Sequence, residues 1–271
     1  MLKSKTTLPY IVWIIIFTLF PLGLVLFFSF TDSTGRFTLE NIVSIGKYSV
    51  VFLRSIWLGA IATVICIAVG YPLAYVISKA KVKNQNIMIM LIMLPMWVNL
   101  LLKTYAWMTI LENNGILNKL FSFIGIGPFN IINTQGAVVL GMVYNFLPYM
   151  VLPIYSVIMK IDNRVIEAAQ DLGAGRRKVF LKIILPLSVP GIISGITMIF
   201  VPAVSTFIIS KMLGGGANLL IGDLIEMQFL GSTYNPHLGS AISFILMILI
   251  FISIGIMNQL GADESGVRGP F

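Results

Sequence analysis

Side chains able to attract a cation without holding it tightly gather in two apolar stretches. Trp97, Tyr105 and Trp107 lie in one, Tyr144 and Tyr149 in the next, with Asn99 and Asn145 among them. Aromatic faces attract ammonium groups by cation–π contact, at about 0.5–2 kcal/mol each, and the two carboxamides add hydrogen bonds. Asp223 and Glu226 fall further along, in a segment read as external, where they would draw cations toward an outer mouth. Aromatics at membrane depth serve equally well for packing or for the interface. The set therefore offers weak, multiple contacts suited to a path rather than a reaction centre.

Bond-making chemistry finds no support. A phosphate-binding loop needs G-x-x-x-x-G-K-[ST] after a strand, yet Gly46-Lys47 is followed by Tyr48 and Asn41 takes the first glycine position. Gly173-Ala174-Gly175 follows a helical pattern and lacks a third glycine, so no dinucleotide fingerprint is present. Gly214-Gly215-Gly216 reads as a flexible loop, with an anion nest as the alternative. His237 is the only histidine and has no nearby His or Cys to share a metal. Cys66 is the only cysteine and reads as a small buried hydrophobe. No nucleophile–base pair is visible, so the chain is not expected to be an enzyme, nor to carry a metal or cofactor.

The elements that must position these residues are membrane helices. Of 271 residues, 58% are hydrophobic and 10% charged, with a mean hydropathy of +0.96, whereas soluble domains carry about 25% charged residues. Uncharged runs cover Leu8–Phe30, Ser55–Ser78, Asn84–Leu102, Leu120–Met159, Ile183–Ser210 and Met227–Ala262. Since a spanning helix needs about 20 apolar residues, the expectation is an all-α membrane protein with six helices: 8–30, 55–78, 87–111, 136–159, 183–209 and 239–260. A β-barrel would show alternating strands instead. The first run is too long for a signal-peptide core and lacks an A-x-A site, so it reads as an uncleaved span. Residues 1–260 form one permeation domain, and 261–271 leave the apolar pattern as a polar tail. The external segments 112–135 and 210–238 are each expected to hold a short helix.

The net charge of +8 follows membrane topology rather than nucleic-acid binding. With the N-terminus inside and six spans, twelve Lys and Arg fall inside and six outside, which places both termini in the cytoplasm by the positive-inside rule. The spans contain no Asp or Glu, so proton coupling within them, as in a secondary transporter, is disfavoured. A channel or secondary carrier remains the competing class. Lys103, near an outer end, is expected to snorkel to the interface.

Residues 160–182 stand apart. Asp162 or Asn163 can cap a helix, Val165, Ala169 and Leu172 share one face, and Gly173 is placed to end it in a left-handed turn. A second stretch from Arg176 to Leu185 leads to Pro186. The pattern fits an elbow with a low-profile Ala168-Ala169 surface open to another protein. It also fits a plain connecting loop whose basic residues only anchor topology.

Glu167-Ala168-Ala169, three residues, Gly173, nine residues, then Ile183-Ile184-Leu185-Pro186 resembles the EAA motif of ABC importer permeases, E-A-A-x3-G-x9-I-x-L-P. The resemblance implies a MetI-like, binding-protein-dependent type I permease of the bacterial cytoplasmic membrane. Glu167, Ala168, Ala169, Gly173, Leu185 and Pro186 would then belong to a coupling loop that docks on an ATPase. Implied partners are a second homologous permease, two ATPase subunits that hold ATP and Mg, an external substrate-binding protein and membrane lipid. The stretches 114–118, 167–173, 214–222 and 228–230 further resemble the polyamine (spermidine/putrescine) importers of that family. Another small solute remains the alternative cargo.

Overall fold

The computed structural model describes residues 3–231 and 233–265. The chain opens with α1 (Lys3–Ile14), which passes through a π turn at Ile15–Leu19 into α2 (Phe20–Ser29). Pro21 sits just past that wide turn. A proline ring crowds the carbonyl four residues back and offers no N–H to it, and here that carbonyl belongs to Phe17, inside the π turn. A compact bend follows, in which Asp32 Oδ1 accepts hydrogen bonds from the Thr34 and Arg36 N–H groups at 2.8 and 2.9 Å.

Next come α3 (Glu40–Ser44) and a 3-10 turn, which lead into the 31-residue α4 (Ser49–Lys79). The second span thus begins well before the expected residue 55. α5 (Val82–Trp97), α6 (Leu100–Leu111) and α7 (Ile116–Phe123) follow. Then come α8 (Gln135–Ile158) and α9 (Asn163–Asp171). α10 (Arg176–Val179) runs through a second π turn, Phe180–Ile184, into α11 (Leu185–Ser205). Pro186 stands just past this turn as Pro21 does past the first, with the crowded carbonyl on Lys182. α12 (Ile208–Leu213), α13 (Ile221–Leu230) and α14 (Pro236–Ser265) complete the order.

Among the described residues, five helical stretches are long and apolar enough to cross a membrane, and a bent pair makes the sixth. That pair corrects the expectation of one helix over 87–111. Val82–Trp97 and Leu100–Phe123 meet at 92°. Val98 and Asn99 adopt extended ψ values of 138° and 133°, and the Asn99 carboxamide oxygen caps α6 by accepting the Leu101 N–H at 2.8 Å. Asparagine is among the strongest N-caps, so the break is encoded locally. The fifth span also differs from 183–209: it starts at Arg176, ends at Ser205, and leaves α12 separate. The last helix extends through Ser265, so residues 261–265 of the expected tail are helical, while 266–271 lie outside the described residues. A short helix was expected in each of 112–135 and 210–238, and α7 and α13 fall within them.

The core is the mutual packing of α4, α8 and α11. Lipid offers helices no hydrophobic drive to associate, so close backbone approach through small residues substitutes for it. Gly191 illustrates this: a Cβ there would lie 3.0 Å from the Ile154 Cα and the Pro153 carbonyl oxygen of α8. Leu58, Met142, Met150, Ile154 and Ile199 fill the space between the three helices. α14 packs across α2, α11 and α13. His237 secures it to the first span, its Nδ1 lying 3.3 Å from the Phe28 carbonyl oxygen.

Candidate functional sites at an elbow and a broken helix

The elbow is built from its backbone outward. Asp162 Oδ1 accepts the Arg164 N–H at 2.9 Å and starts α9. At the other end Gly173 adopts φ +80°, its N–H donates to the Gln170 carbonyl at 2.9 Å, and the Ala174 N–H donates to the Ala169 carbonyl at 2.9 Å. These two bonds are a Schellman closure, which requires the left-handed residue that glycine supplies at least cost. The second alanine of the E-A-A triplet and the glycine four residues later are thus two ends of one capping device. Ala169 and Ala174 also pack on the same apolar cluster.

The return limb is tied to the core. Phe180 lies edge-on to Tyr75 and Tyr71, at centroid distances of 4.9 and 5.8 Å. Tyr71 Oη and Ser188 Oγ are hydrogen-bonded at 2.9 Å. Ile184 is buried and Leu185 packs beside it, while Pro186 lies on the exposed side of the helix start. The return limb is thereby packed against both α4 and α11.

The apolar residues of α9 divide between the core and the surface. Ile166 and Ala169 pack on the core, whereas Val165 is exposed and Leu172 is 90% exposed. Glu167 and Ala168 are exposed as well. Val165 borders a surface cavity with Leu187, and Leu172 stands free at the end of the helix. An apolar tip on a small, rigid projection is suited to burial against a partner.

At the second site the break between α5 and α6 brings four of the candidate aromatics and amides together. Trp97, Asn99, Asn145 and Tyr149 line one cavity of about 380 Å³, together with Lys103 and Phe146. Trp97 is 70% exposed. Asn145 is 6% exposed: its Nδ2 donates to the Gly141 carbonyl at 2.8 Å, and its Oδ1 has no partner. Lys103 does not snorkel outward as expected. Its Nζ turns back across the break and donates to the Pro95 carbonyl at 2.9 Å, one of the carbonyls that the end of α5 leaves without a helical partner.

The remaining candidates lie elsewhere. Trp107 and Tyr144 meet edge-on at 5.2 Å and line a separate, apolar cavity of about 680 Å³ with Leu58 and Leu147. Tyr105 is exposed and lines neither cavity. Asp223 is 2% exposed, which corrects its reading as a carboxylate at an open mouth. Its Oδ2 accepts the Leu220 N–H at 2.8 Å and so caps α13, while Oδ1 has no partner. Burial pushes this carboxyl above its ordinary value, against the opposing pull of nearby Ser210 and the Leu220 N–H. Glu226 is paired with Lys211 at 2.8 Å. Two residues that carried no prior expectation also tie the bundle together: Gln85 donates to the Ser78 and Ala80 carbonyls and accepts from Tyr155 Oη at 3.2 Å. Only a buried glutamine near the end of a span could have signalled this.

Comparison with known proteins bears on the chain as a whole. The chain is 40% identical over 252 residues to the spermidine/putrescine transport system permease protein PotB of Haemophilus influenzae, covering 89% of this chain and 88% of that one. It is 36% identical to the PotB of Escherichia coli K12, covering 88% and 90%. In fold it resembles the crystal structure of a bacterial ABC transporter involved in alginate import, with a TM-score of 0.79 at 18% identity over 97% of this chain and 95% of that one. Residues 6–261 match the family described as the binding-protein-dependent transport system inner membrane component, and the chain belongs to that family.

Proposed function

We propose that this chain is the translocating subunit of an ATP-driven polyamine importer, with the elbow at residues 160–186 facing the cytoplasm. The observation that carries the reading is the elbow itself. A Schellman-closed helix presents Glu167, Ala168 and Leu172 outward, while its return limb is locked to α4 and α11. That is what a push from a separate motor needs: an exposed handle and a stiff connection. The motor is a pair of ATPase subunits, which hold ATP and Mg, because this chain offers no phosphate-binding loop.

The substrate class rests on the PotB relatives, which cover most of both chains at 36–40% identity. The cavity at the α5–α6 break suits a flexible polycation. Trp97 and Tyr149 offer ring faces and Asn145 an unpartnered oxygen, while no carboxylate lines it to hold the substrate fast. A pathway must release what it accepts, so weak and multiple contacts serve it better than a tight site. A second homologous permease closes the other wall, and an external binding protein delivers the cargo. Both termini are cytoplasmic on this reading.

Co-purification with the neighbouring subunits, followed by uptake into vesicles, tests the proposal. Labelled spermidine should accumulate and be displaced by putrescine, not by sulfate or an oligosaccharide. Accumulation of another solute in preference to polyamines would overturn the substrate assignment while leaving the permease reading in place.

A further inference from the structure

Lys103 is an anomaly on a path for polycations. A fixed ammonium should repel the cargo, yet Lys103 lines the same cavity as Trp97, Asn99, Asn145 and Tyr149. Its position is chemically specific. The Nζ lies 2.9 Å from the Pro95 carbonyl oxygen, at the point where the extended Val98 and Asn99 interrupt the helical ladder. Asn145 Oδ1, buried and without a partner, belongs to the same cavity. An orphaned carbonyl, a free carboxamide oxygen and two aromatic rings are the groups that would receive a primary ammonium. The protein has placed its own primary ammonium there.

We infer that Lys103 is a tethered substrate surrogate: its ammonium occupies an ammonium subsite of the path at rest and yields it to a substrate ammonium during transport. The inference rests on the polyamine-path reading above and adds a regulatory role to it. An internal competitor lowers apparent affinity by the fraction of time the subsite is free. It keeps the resting cavity from trapping polyamine, and it stops the α5–α6 bend from standing with a bare carbonyl. Each arriving ammonium then exchanges for one already present, so no net charge need be buried or exposed at the site.

The test uses the assembled complex of both permeases and the ATPase subunits, without the external binding protein, and measures retention of labelled spermidine. Wild type should retain little. Lys103→Met and Lys103→Gln, the second keeping a hydrogen-bond donor near Pro95, should each retain spermidine about tenfold more tightly, as removal of a competitor that fills the subsite nine-tenths of the time requires. Lys103→Arg should behave as wild type, and adding Asn145→Ala to Lys103→Gln should reverse the gain. Equal retention in wild type and Lys103→Gln overturns the inference. Should the variants fail to assemble, the wild-type complex trapped with spermidine decides by its structure. Displacement of Nζ from the Pro95 carbonyl by a substrate nitrogen is required, and an intact clamp with substrate elsewhere overturns the inference. The path reading fails separately, if uptake survives the loss of Trp97 and Tyr149.

Discussion

The elbow and the broken helix are both departures from a straight membrane span, and they are built on opposite principles. The elbow is closed by backbone capping and locked by packed aromatics. The break at Val98–Asn99 is held by two polar side chains, Asn99 capping the following helix and Lys103 clamping the preceding one. A rigid element transmits force, whereas one held by replaceable polar contacts can exchange a partner. We therefore propose coupling for the first and passage for the second.

The sharpest way to break this comparison is to place the elbow on the wrong side of the membrane. Lys178→Cys in a Cys66→Ala background should resist an impermeant thiol reagent in intact cells and react fully in inverted vesicles. Cys66 is buried against the Val143 carbonyl, so its removal serves only to silence background. Labelling from outside would refute the assignment of force transmission to residues 160–186.

Nearly as large an effect is expected from the turn residue. Nothing lies within 4 Å of a Cβ built on Gly173, so Gly173→Val adds no clash and acts through its left-handed φ alone, at about 1–2 kcal/mol. Membrane insertion should be normal, while spermidine-stimulated ATP hydrolysis falls to basal. Gly173→Asn, the substitution most tolerant of that conformation, should keep most of the coupling. Leu172→Asp leaves the turn intact and should abolish co-purification of the ATPase subunits. Normal coupling in Gly173→Val would make the elbow a passive loop.

A smaller change is expected at the break. Trp97→Leu should lower polyamine uptake about fivefold, the equivalent of one cation–π contact of about 1 kcal/mol, with assembly and basal ATP hydrolysis unchanged. Trp107→Leu, which lines the apolar cavity instead, should affect assembly or stability before uptake. Unchanged uptake in the Trp97→Leu, Tyr149→Leu double variant would remove the aromatic path.

The smallest effect concerns Asp223, which lies outside both regions and serves as a control. Its carboxyl is held above the ordinary value by burial, so the folded state binds the proton more readily than the unfolded state. Stability from this group should therefore decline as pH rises from the unfolded value through the raised folded one, and stay flat above it. Asp223→Asn retains a capping oxygen without the buried charge. Thermal melts of the complex should show a flatter acid-range profile and no loss at neutral pH. Destabilisation at neutral pH would mean the ionised carboxylate is needed.

The contrast between the two regions also explains what the amino-acid order revealed. The elbow was legible because its requirements are local: Asp162 caps, Gly173 turns left-handed, and Pro186 follows the second π turn. The number of spans was legible from apolar runs, yet the boundaries moved wherever a helix continued beyond its apolar run, as at Ser49 and Arg176. The break in the third span was missed because an asparagine inside an apolar run does not declare itself an N-cap. The shared face of Val165, Ala169 and Leu172 was legible, but apolar spacing marks a face to be covered without saying which chain covers it. Asp223 was read as exposed from its charge, although its carboxylate closes a buried helix start.

The most direct test of the central claim is transport in vesicles by this chain alone and by the complete complex. The account predicts no spermidine uptake by the chain alone at any proton or sodium gradient. The complete complex should take it up only with ATP and the external binding protein, and that uptake should vanish in Gly173→Val. Gradient-driven uptake by the isolated chain would contradict it and make the protein a secondary carrier.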